Sequence, residues 1–205
     1  MRTVRAMAGT LAGLVLAAGA ARAQDMPPLD TVRRAVHVCA SCHGEGGRST
    51  KAAIPSLAGQ TREYTIAQLK DFRSQVRAET GTKAYMWGMS ALLDDTSIDG
   101  LADYYATQVP VRGHAGNPAL LRRGRKIFTE GIPVRGVQAC AACHGAGGEG
   151  AAGYPRLAGQ HAEYVAAQLK VFRTWLRPHA AAMKQETRAM STDEMRAVAE
   201  YVQSL

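Results

Sequence analysis

Residues 39–44 read Cys-Ala-Ser-Cys-His-Gly, and the pattern returns at residues 140–145 as Cys-Ala-Ala-Cys-His-Gly. The spacing C-x-x-C-H is the attachment signature of a c-type haem. Each of two thiols on one turn of chain forms a thioether with a porphyrin vinyl group, and the following His lies under the iron. Two covalently bound haem c groups are therefore predicted. The predicted thioether residues are Cys39, Cys42, Cys140 and Cys143, and the predicted proximal iron ligands are His43 and His144.

Three other chemistries use paired cysteines, and none accounts for a His directly after both pairs. A thioredoxin-like redox pair needs a βαβ setting, which the sequence does not indicate. A zinc site needs a second Cys or His pair at zinc-finger spacing, and neither pair has one. Structural disulfides suit an exported chain but leave the His without a role. The sequence favours haem.

The repeat extends well beyond the two haem motifs. Pro55-Ser-Leu57-Ala-Gly-Gln60 returns as Pro155-Arg-Leu157-Ala-Gly-Gln160, and Q-L-K-x-F-R recurs at residues 68–73 and 168–173. Self-similarity at a fixed spacing is typical of a duplicated structural unit. We predict domains at residues 24–111 and 112–205, joined by a linker within residues 108–117, where Pro and Gly interrupt any regular pattern.

Each half has helical periodicity, so an all-α fold is predicted. Residues 63–77 and 97–107 place apolar side chains at helical spacing in the first half. In the second half Asn117-Pro118 predicts a helix start, and Ser191 with Glu194 predicts a capping box for a closing helix over residues 191–203. No strand-like alternation of useful length occurs.

The first 23 residues predict a cleaved Sec-type signal peptide. Arg2 and Arg5 precede an apolar stretch over residues 7–20, and Ala21-Arg22-Ala23 is a small-x-small cleavage site. The apolar stretch is shorter than the roughly 20 residues that span a bilayer, which argues against the alternative of a retained anchor. We therefore expect a periplasmic protein.

The charge is distributed unequally between the two predicted domains. Residues 24–111 carry net −1, whereas residues 112–205 carry net +6. Such asymmetry suits oriented docking to charged redox proteins, although two halves with solvated surfaces that diverged in composition would show it as well. Nucleic acid is not an expected partner; a loose association with a membrane surface stays open.

The sixth iron ligand decides whether each site is closed. Met86 and Met183 each lie 18 residues before the matched tyrosines Tyr104 and Tyr201, which makes them the predicted distal ligands. A Met thioether raises the reduction potential and closes the iron to small molecules. Met89 is the rival in the first half; in the second, His179 is the rival, and nothing in the first half matches it.

The residues quoted above resemble the diheme cytochrome c4 family over the whole mature chain. That family consists of periplasmic electron carriers built from two class I cytochrome c domains. The resemblance implies that the carbonyl groups of Pro55 and Pro155 orient the proximal His rings and that Leu57 and Leu157 line the haem pockets. The first half departs from the family, because residues 31–35 lack the Gly expected early in its first helix.

Single-electron transfer between respiratory partners is the expected function, from a quinol-oxidising complex to a terminal oxidase or reductase. No catalytic residue and no substrate other than electrons is expected. The alternative is the electron-transfer subunit of a periplasmic dehydrogenase, a flavoprotein or a quinoprotein. A diheme peroxidase or gas sensor needs an open iron, which the two Met candidates oppose. Tyr64, Gln68, Tyr164 and Gln168 are candidates for haem propionate contacts or for a helix surface.

Overall fold

The structure, a computed structural model, describes residues 29–78 and 85–205. The predicted signal peptide lies outside these residues. Across the described ranges the chain is helical, with two isolated β-bridges and no extended strand. This confirms the predicted all-α class. None of the described helices is both long and apolar enough to cross a bilayer.

The first half has four α-helices. They are α1 Leu29–His43, α2 Arg62–Arg73, α3 Tyr85–Ser90 and α4 Asp95–Ala106, with a short 3-10 turn at Glu45–Gly47. Helix α2 ends four residues before the predicted end at position 77, and Gln75 follows with a positive φ of 58°. Helix α4 begins at Asp95 because the Asp94 side chain accepts a hydrogen bond from the Ser97 amide. Its apolar face is buried.

The second half repeats this arrangement with one additional helix. Its helices are α5 Pro118–Glu130, α6 Ala141–His144, α7 Ala162–Val171, α8 Ala181–Arg188 and α9 Thr192–Gln203, with a 3-10 turn at Pro133–Arg135. The Asn117 side chain caps α5, and Ser191 and Glu194 form the capping box of α9. Both predicted helix starts are confirmed. Phe128, Met195 and Val198 belong to the apolar core of this half.

Small residues allow the first and last helices of each half to approach closely. A Cβ atom on Gly124 of α5 would lie 2.0 Å from the Ala197 carbonyl oxygen of α9. In the first half the glycine is on the opposite helix: a Cβ on Gly100 of α4 would lie 2.6 Å from a methyl of Val32 on α1. The absence of a Gly at residues 31–35 is therefore matched by a Gly on the facing helix.

Residues 107–117 contain no helix and connect the two halves. The connection crosses the A-G-Q segment of each half. Pro110 lies where a Cβ on Gly59 would be, and the Val111 carbonyl lies where a Cβ on Gly159 would be. The predicted linker thus packs against both halves at equivalent positions.

Candidate haem-binding sites

His43, at the end of α1, is held by a hydrogen bond to the loop that follows the haem motif. Its Nδ1 lies 2.8 Å from the Pro55 carbonyl oxygen. A carbonyl only accepts, so Nδ1 carries the proton and Nε2 keeps its lone pair. The ring is 8% exposed. Burial lowers the pKa of His43, although the Pro55 hydrogen bond opposes this, so the ring stays neutral and able to coordinate iron.

His144, at the end of α6, repeats this geometry. Its Nδ1 donates to the Pro155 carbonyl at 2.9 Å, and the ring is 6% exposed. Burial again lowers its pKa against the effect of the carbonyl. One difference is local: the ring of Tyr154 lies edge-on to the His144 ring at 6.2 Å, whereas the residue before Pro55 is Ile54.

A glycine directly after each His lets the chain turn back toward the ring. Gly44 and Gly145 have φ of 78° and 85°, a region that favours glycine. The Leu57 amide donates to the Gly47 carbonyl, and the Leu157 amide to the Gly148 carbonyl, both at 2.7 Å. These bonds fix the loop that presents the proline carbonyl. Both leucines are half-buried.

All four cysteines lie in the described part of the chain, and none forms a disulfide there. The first of each pair, Cys39 and Cys140, is half-buried, and the second, Cys42 and Cys143, is exposed. Burial raises the pKa of the Cys140 thiol to about 11 and also raises that of Cys39. Each pair thus presents one inner and one outer sulfur beside a His whose Nε2 is available.

The two candidate distal ligands occupy equivalent places. Met86 is half-buried on α3, and its carbonyl accepts the Ser90 hydroxyl at 2.6 Å. Met183 is half-buried on α8, and its carbonyl accepts the Thr187 hydroxyl at 2.8 Å. In both halves, therefore, a hydroxyl side chain four residues after the methionine donates to the methionine carbonyl. Met183 also packs against the core of the second half.

The rival ligands are more exposed. Met89 lies on α3 as Met86 does, but its side chain is 56% exposed. His179 is exposed, and its Nδ1 lies 2.8 Å from a carboxylate oxygen of Asp71 in the first half. Met86 and Met183, both half-buried, are thus the less exposed candidates.

The tyrosines and glutamines that were candidates for propionate contacts lie between the two halves. Gln68 accepts a hydrogen bond from Arg77 at 2.7 Å and one from Arg177 at 2.8 Å. Gln168 accepts from Arg177 at 2.8 Å. Each guanidinium also reaches the opposite half's tyrosine: Arg77 to Tyr164 at 3.2 Å and Arg177 to Tyr64 at 3.0 Å.

The sequence patterns did not identify Arg77 and Arg177 as interface residues. Their exposed fractions are 4% and 6%, and each guanidinium lies 4.3 Å from the centre of a phenylalanine ring, Phe72 or Phe172. Arginine is almost never buried unless it is paired. The available signal was their spacing, since they recur one hundred positions apart like the motifs around them.

The repeated glutamine after the A-G dipeptide joins the halves a second time. The Gln160 side chain accepts from the Ser56 amide and donates to the Ser56 carbonyl, both at 2.9 Å. Gln60 does the same with Arg156, accepting from its amide at 2.7 Å and donating to its carbonyl at 3.2 Å. Each glutamine therefore holds the residue directly after the opposite half's proline, whose carbonyl accepts the hydrogen bond from the His ring.

These groups fit a covalently attached haem in each half. Each site offers two unpaired thiols on one helical turn and a neutral imidazole with a free Nε2 that its proline holds in place. A half-buried Met lies on a separate helix in each case. The Cys, His and Met residues that suit a haem iron site recur in both halves.

Comparison with known proteins gives a consistent result. A family model of cytochrome c matches twice, at residues 33–108 and 121–205. The cytochrome c4 of Thiocapsa roseopersicina is 40% identical over 173 residues, which is 82% of this chain and 87% of the relative. A thiosulfate dehydrogenase electron acceptor of Stutzerimonas stutzeri is 38% identical over 173 residues, which is 82% of this chain and 78% of the relative.

A solved structure shows the same arrangement of both halves. Reduced recombinant cytochrome c4 from Pseudomonas stutzeri superposes with a TM-score of 0.78 at 33% identity. The match covers 87% of this chain and 98% of that one. The similarity therefore includes the pair of domains and not one domain alone.

Proposed function

The chain belongs to the diheme cytochrome c4 family, and we propose that it carries single electrons in the periplasm, from a quinol-oxidising complex to a terminal oxidase or reductase. Members of this family are electron carriers that hold two haem c groups, and not enzymes. The observation that carries the proposal is the duplicated pair of a buried His and a proline carbonyl, once in each half.

The site geometry supports a proposal for which residues hold the haems. Cys39 and Cys42 would form the thioethers of the first haem, and His43 and Met86 would coordinate its iron. Cys140, Cys143, His144 and Met183 would do the same in the second half. When bound, each haem would supply one-electron transfer between ferrous and ferric iron.

The protein's own part is to hold each iron ligand in place through both oxidation states. The proline carbonyls fix the tautomer and the orientation of the His rings. Without this hydrogen bond, an imidazole at the end of a helix could rotate and change its tautomer. Leu57 and Leu157 directly follow the residues that Gln160 and Gln60 bind. These two leucines would supply apolar contacts to the haems. The two interface glutamines therefore support both His sites at once.

The distribution of charged side chains supports docking to redox proteins that are themselves charged. The acidic face of α4 is largely neutralised within the first half, since Arg62 lies 3.2 Å from Asp99 and 2.6 Å from Asp103. On α5, Arg122, Arg125 and Lys126 are exposed and form no ion pair with described residues. The second half therefore presents the uncompensated positive charge that would meet an acidic partner surface.

The test is reduction and oxidation by isolated complexes. We expect the purified protein, with two thioether-linked haems, to be reduced by a quinol-oxidising complex and reoxidised by a terminal oxidase, at rates that fall with rising salt. Carbon monoxide should not bind the reduced protein at neutral pH. Ready carbon monoxide binding or peroxide turnover above that of free haem would contradict a closed carrier.

A second candidate is the electron acceptor of a dehydrogenase. The supporting observation is the 38% identity to a thiosulfate dehydrogenase electron acceptor. The same protein is offered thiosulfate with a thiosulfate dehydrogenase and, separately, a quinol-oxidising complex. Rapid reduction by the thiosulfate dehydrogenase but not by the quinol-oxidising complex would favour this candidate over the freestanding carrier. Co-purification with a catalytic subunit would favour it as well.

A further inference from the structure

Tyr105 on α4 has a buried hydroxyl group without an oxygen or nitrogen partner among the described residues. Its side chain is 2% exposed, and the hydroxyl oxygen is fully enclosed. A buried hydroxyl that makes no hydrogen bond costs free energy, so such groups nearly always have a partner. This orphaned group therefore indicates a contact that forms when the first haem is attached.

The position of Tyr105 is fixed from both sides. Its carbonyl accepts the Gly59 amide at 2.8 Å. A Cβ on Gly47 would lie 2.9 Å from the Tyr105 ring, so that glycine leaves room for it, and the Tyr104 ring packs edge-on at 5.1 Å. The ring cannot turn its hydroxyl to solvent without moving the loop that holds His43.

The polar group that Tyr105 meets is the Cys39 sulfur. Burial raises the pKa of the Tyr105 hydroxyl, and interaction with Cys39 raises it further. The two groups interact, yet the Tyr105 hydroxyl has no hydrogen-bond partner within the part of the chain that the structure describes while the sulfur is a thiol. In the mature protein the same atom is a thioether sulfur, which has no hydrogen and only accepts, so Tyr105 is the donor.

The second half has no equivalent of this hydroxyl. Gly159 donates to the Val202 carbonyl at 2.9 Å, as Gly59 does to Tyr105, so Val202 is the matching residue. Val202 is 1% exposed. An apolar side chain therefore stands beside the second site where the first has a buried hydroxyl.

We propose that the Tyr105 hydroxyl donates a hydrogen bond to the Cys39 thioether sulfur and raises the reduction potential of the first haem by an interaction that the second haem lacks. The positive end of the hydroxyl dipole would then point at the sulfur that joins the haem to α1. In a low-dielectric interior this stabilises the reduced form, which carries one more electron. The inference rests on the proposed attachment of the first haem at Cys39.

The test is Tyr105→Phe, which removes the hydroxyl and keeps the ring. A redox titration followed by proton NMR resolves the two Met methyl signals, which Met86→Ala assigns to their haems. We expect the potential of the first haem to fall and that of the second to stay unchanged. Tyr104→Phe, on the neighbouring half-buried ring, is the matched control and should shift neither potential.

A measurement on the unmodified protein covers the case in which the variant does not fold. The resonance Raman C–S stretch of one thioether should shift between water and deuterium oxide, because a deuterated hydroxyl is bonded to it. An unshifted C–S band, or a first-haem potential unchanged in Tyr105→Phe, overturns the proposal. A pyridine haemochrome assay that finds fewer than two thioether-linked haems would instead contradict the proposed function.

Discussion

At the scale of single residues, one hydrogen bond determines the tautomer of the His in each C-x-x-C-H motif. The bond from His43 to the Pro55 carbonyl fixes the tautomer, and burial keeps the ring neutral. The same pair of effects operates at His144. A ligand that is uncharged and already oriented loses little conformational entropy when it binds iron.

The distal ligands provide a residue-scale prediction. Met86→Ala and Met183→Ala should each remove one of the two expected Met–iron charge-transfer bands in the near infrared, because each removes the Met thioether proposed to coordinate one iron. Met89→Ala is the matched control and should keep both bands, since Met89 is 56% exposed. Loss of a band in Met89→Ala with both bands retained in Met86→Ala would exchange the two assignments.

At the scale of helices, capping and close packing determine how firmly each half is closed. The α9 capping box is supported by Arg135, which hydrogen-bonds the Glu194 carboxylate. Desolvation raises the pKa of Glu194, but the bonds from Arg135 and Ser191 outweigh it and lower the pKa to about 2. The charged carboxylate therefore stabilises the fold above its unfolded pKa, and that contribution is lost as the pH falls toward 2.

Replacement of this carboxylate tests the linkage. Glu194→Gln should lower the free energy of unfolding by about 1–2 kcal/mol at pH 7, since it removes the carboxylate charge and its ion pair with Arg135 while the Gln amide oxygen can still accept the Ser191 amide hydrogen. The difference from the unmodified protein should shrink as the pH falls from about 4.5 toward 2. Guanidinium unfolding followed by circular dichroism across this range measures it. A difference in unfolding free energy that stays constant with pH would show that the charge of Glu194 does not contribute to stability.

The glycines of the crossed helices provide a second prediction at this scale. Gly124→Ala should destabilise the second half by about 1–3 kcal/mol, because the new methyl meets a backbone carbonyl. Gly100→Ala should cost less, because its methyl meets a side chain, Val32. Thermal unfolding measures both.

A helical glycine in open surroundings is the control for these two variants. A Cβ atom on Gly88 would meet no other atom within 4 Å, so Gly88→Ala should be neutral or stabilise by up to about 1 kcal/mol. Equal losses of stability in Gly124→Ala and Gly88→Ala would show that Gly124 is not required for close packing of the helices.

At the scale of the whole molecule, the two halves are joined through polar contacts that repeat with approximate two-fold symmetry. Arg77 and Arg177 contact the glutamines and tyrosines of both halves, and Gln60 and Gln160 bind the opposite backbone. Because these contacts are directional hydrogen bonds, they fix one relative orientation of the halves. The same glutamines lie beside the proline carbonyls, so the orientation is linked to both His sites.

Removal of one interface glutamine tests this link. Gln160→Ala leaves the buried Ser56 amide and carbonyl without their partner and should weaken the interface by about 1–3 kcal/mol. We expect the unfolding transitions of the two halves to separate. Gln185→Ala, an exposed glutamine on α8, should leave unfolding unchanged. Coincident transitions in Gln160→Ala would assign the coupling of the halves to the arginine cluster or to the linker.

The amino-acid sequence was enough to predict two haem attachment motifs and their duplication. Each C-x-x-C-H motif is contiguous, so the proposed attachment groups and proximal ligand follow from local spacing, and the helix starts at Asn117 and Ser191 follow from local capping. What distant residues do together became visible in the folded chain. The fold pairs Val32 with Gly100, places Arg77 and Arg177 between the halves, and encloses the Tyr105 hydroxyl. Burial and hydrogen bonding across helices depend on approach in space, which periodicity along one helix does not specify.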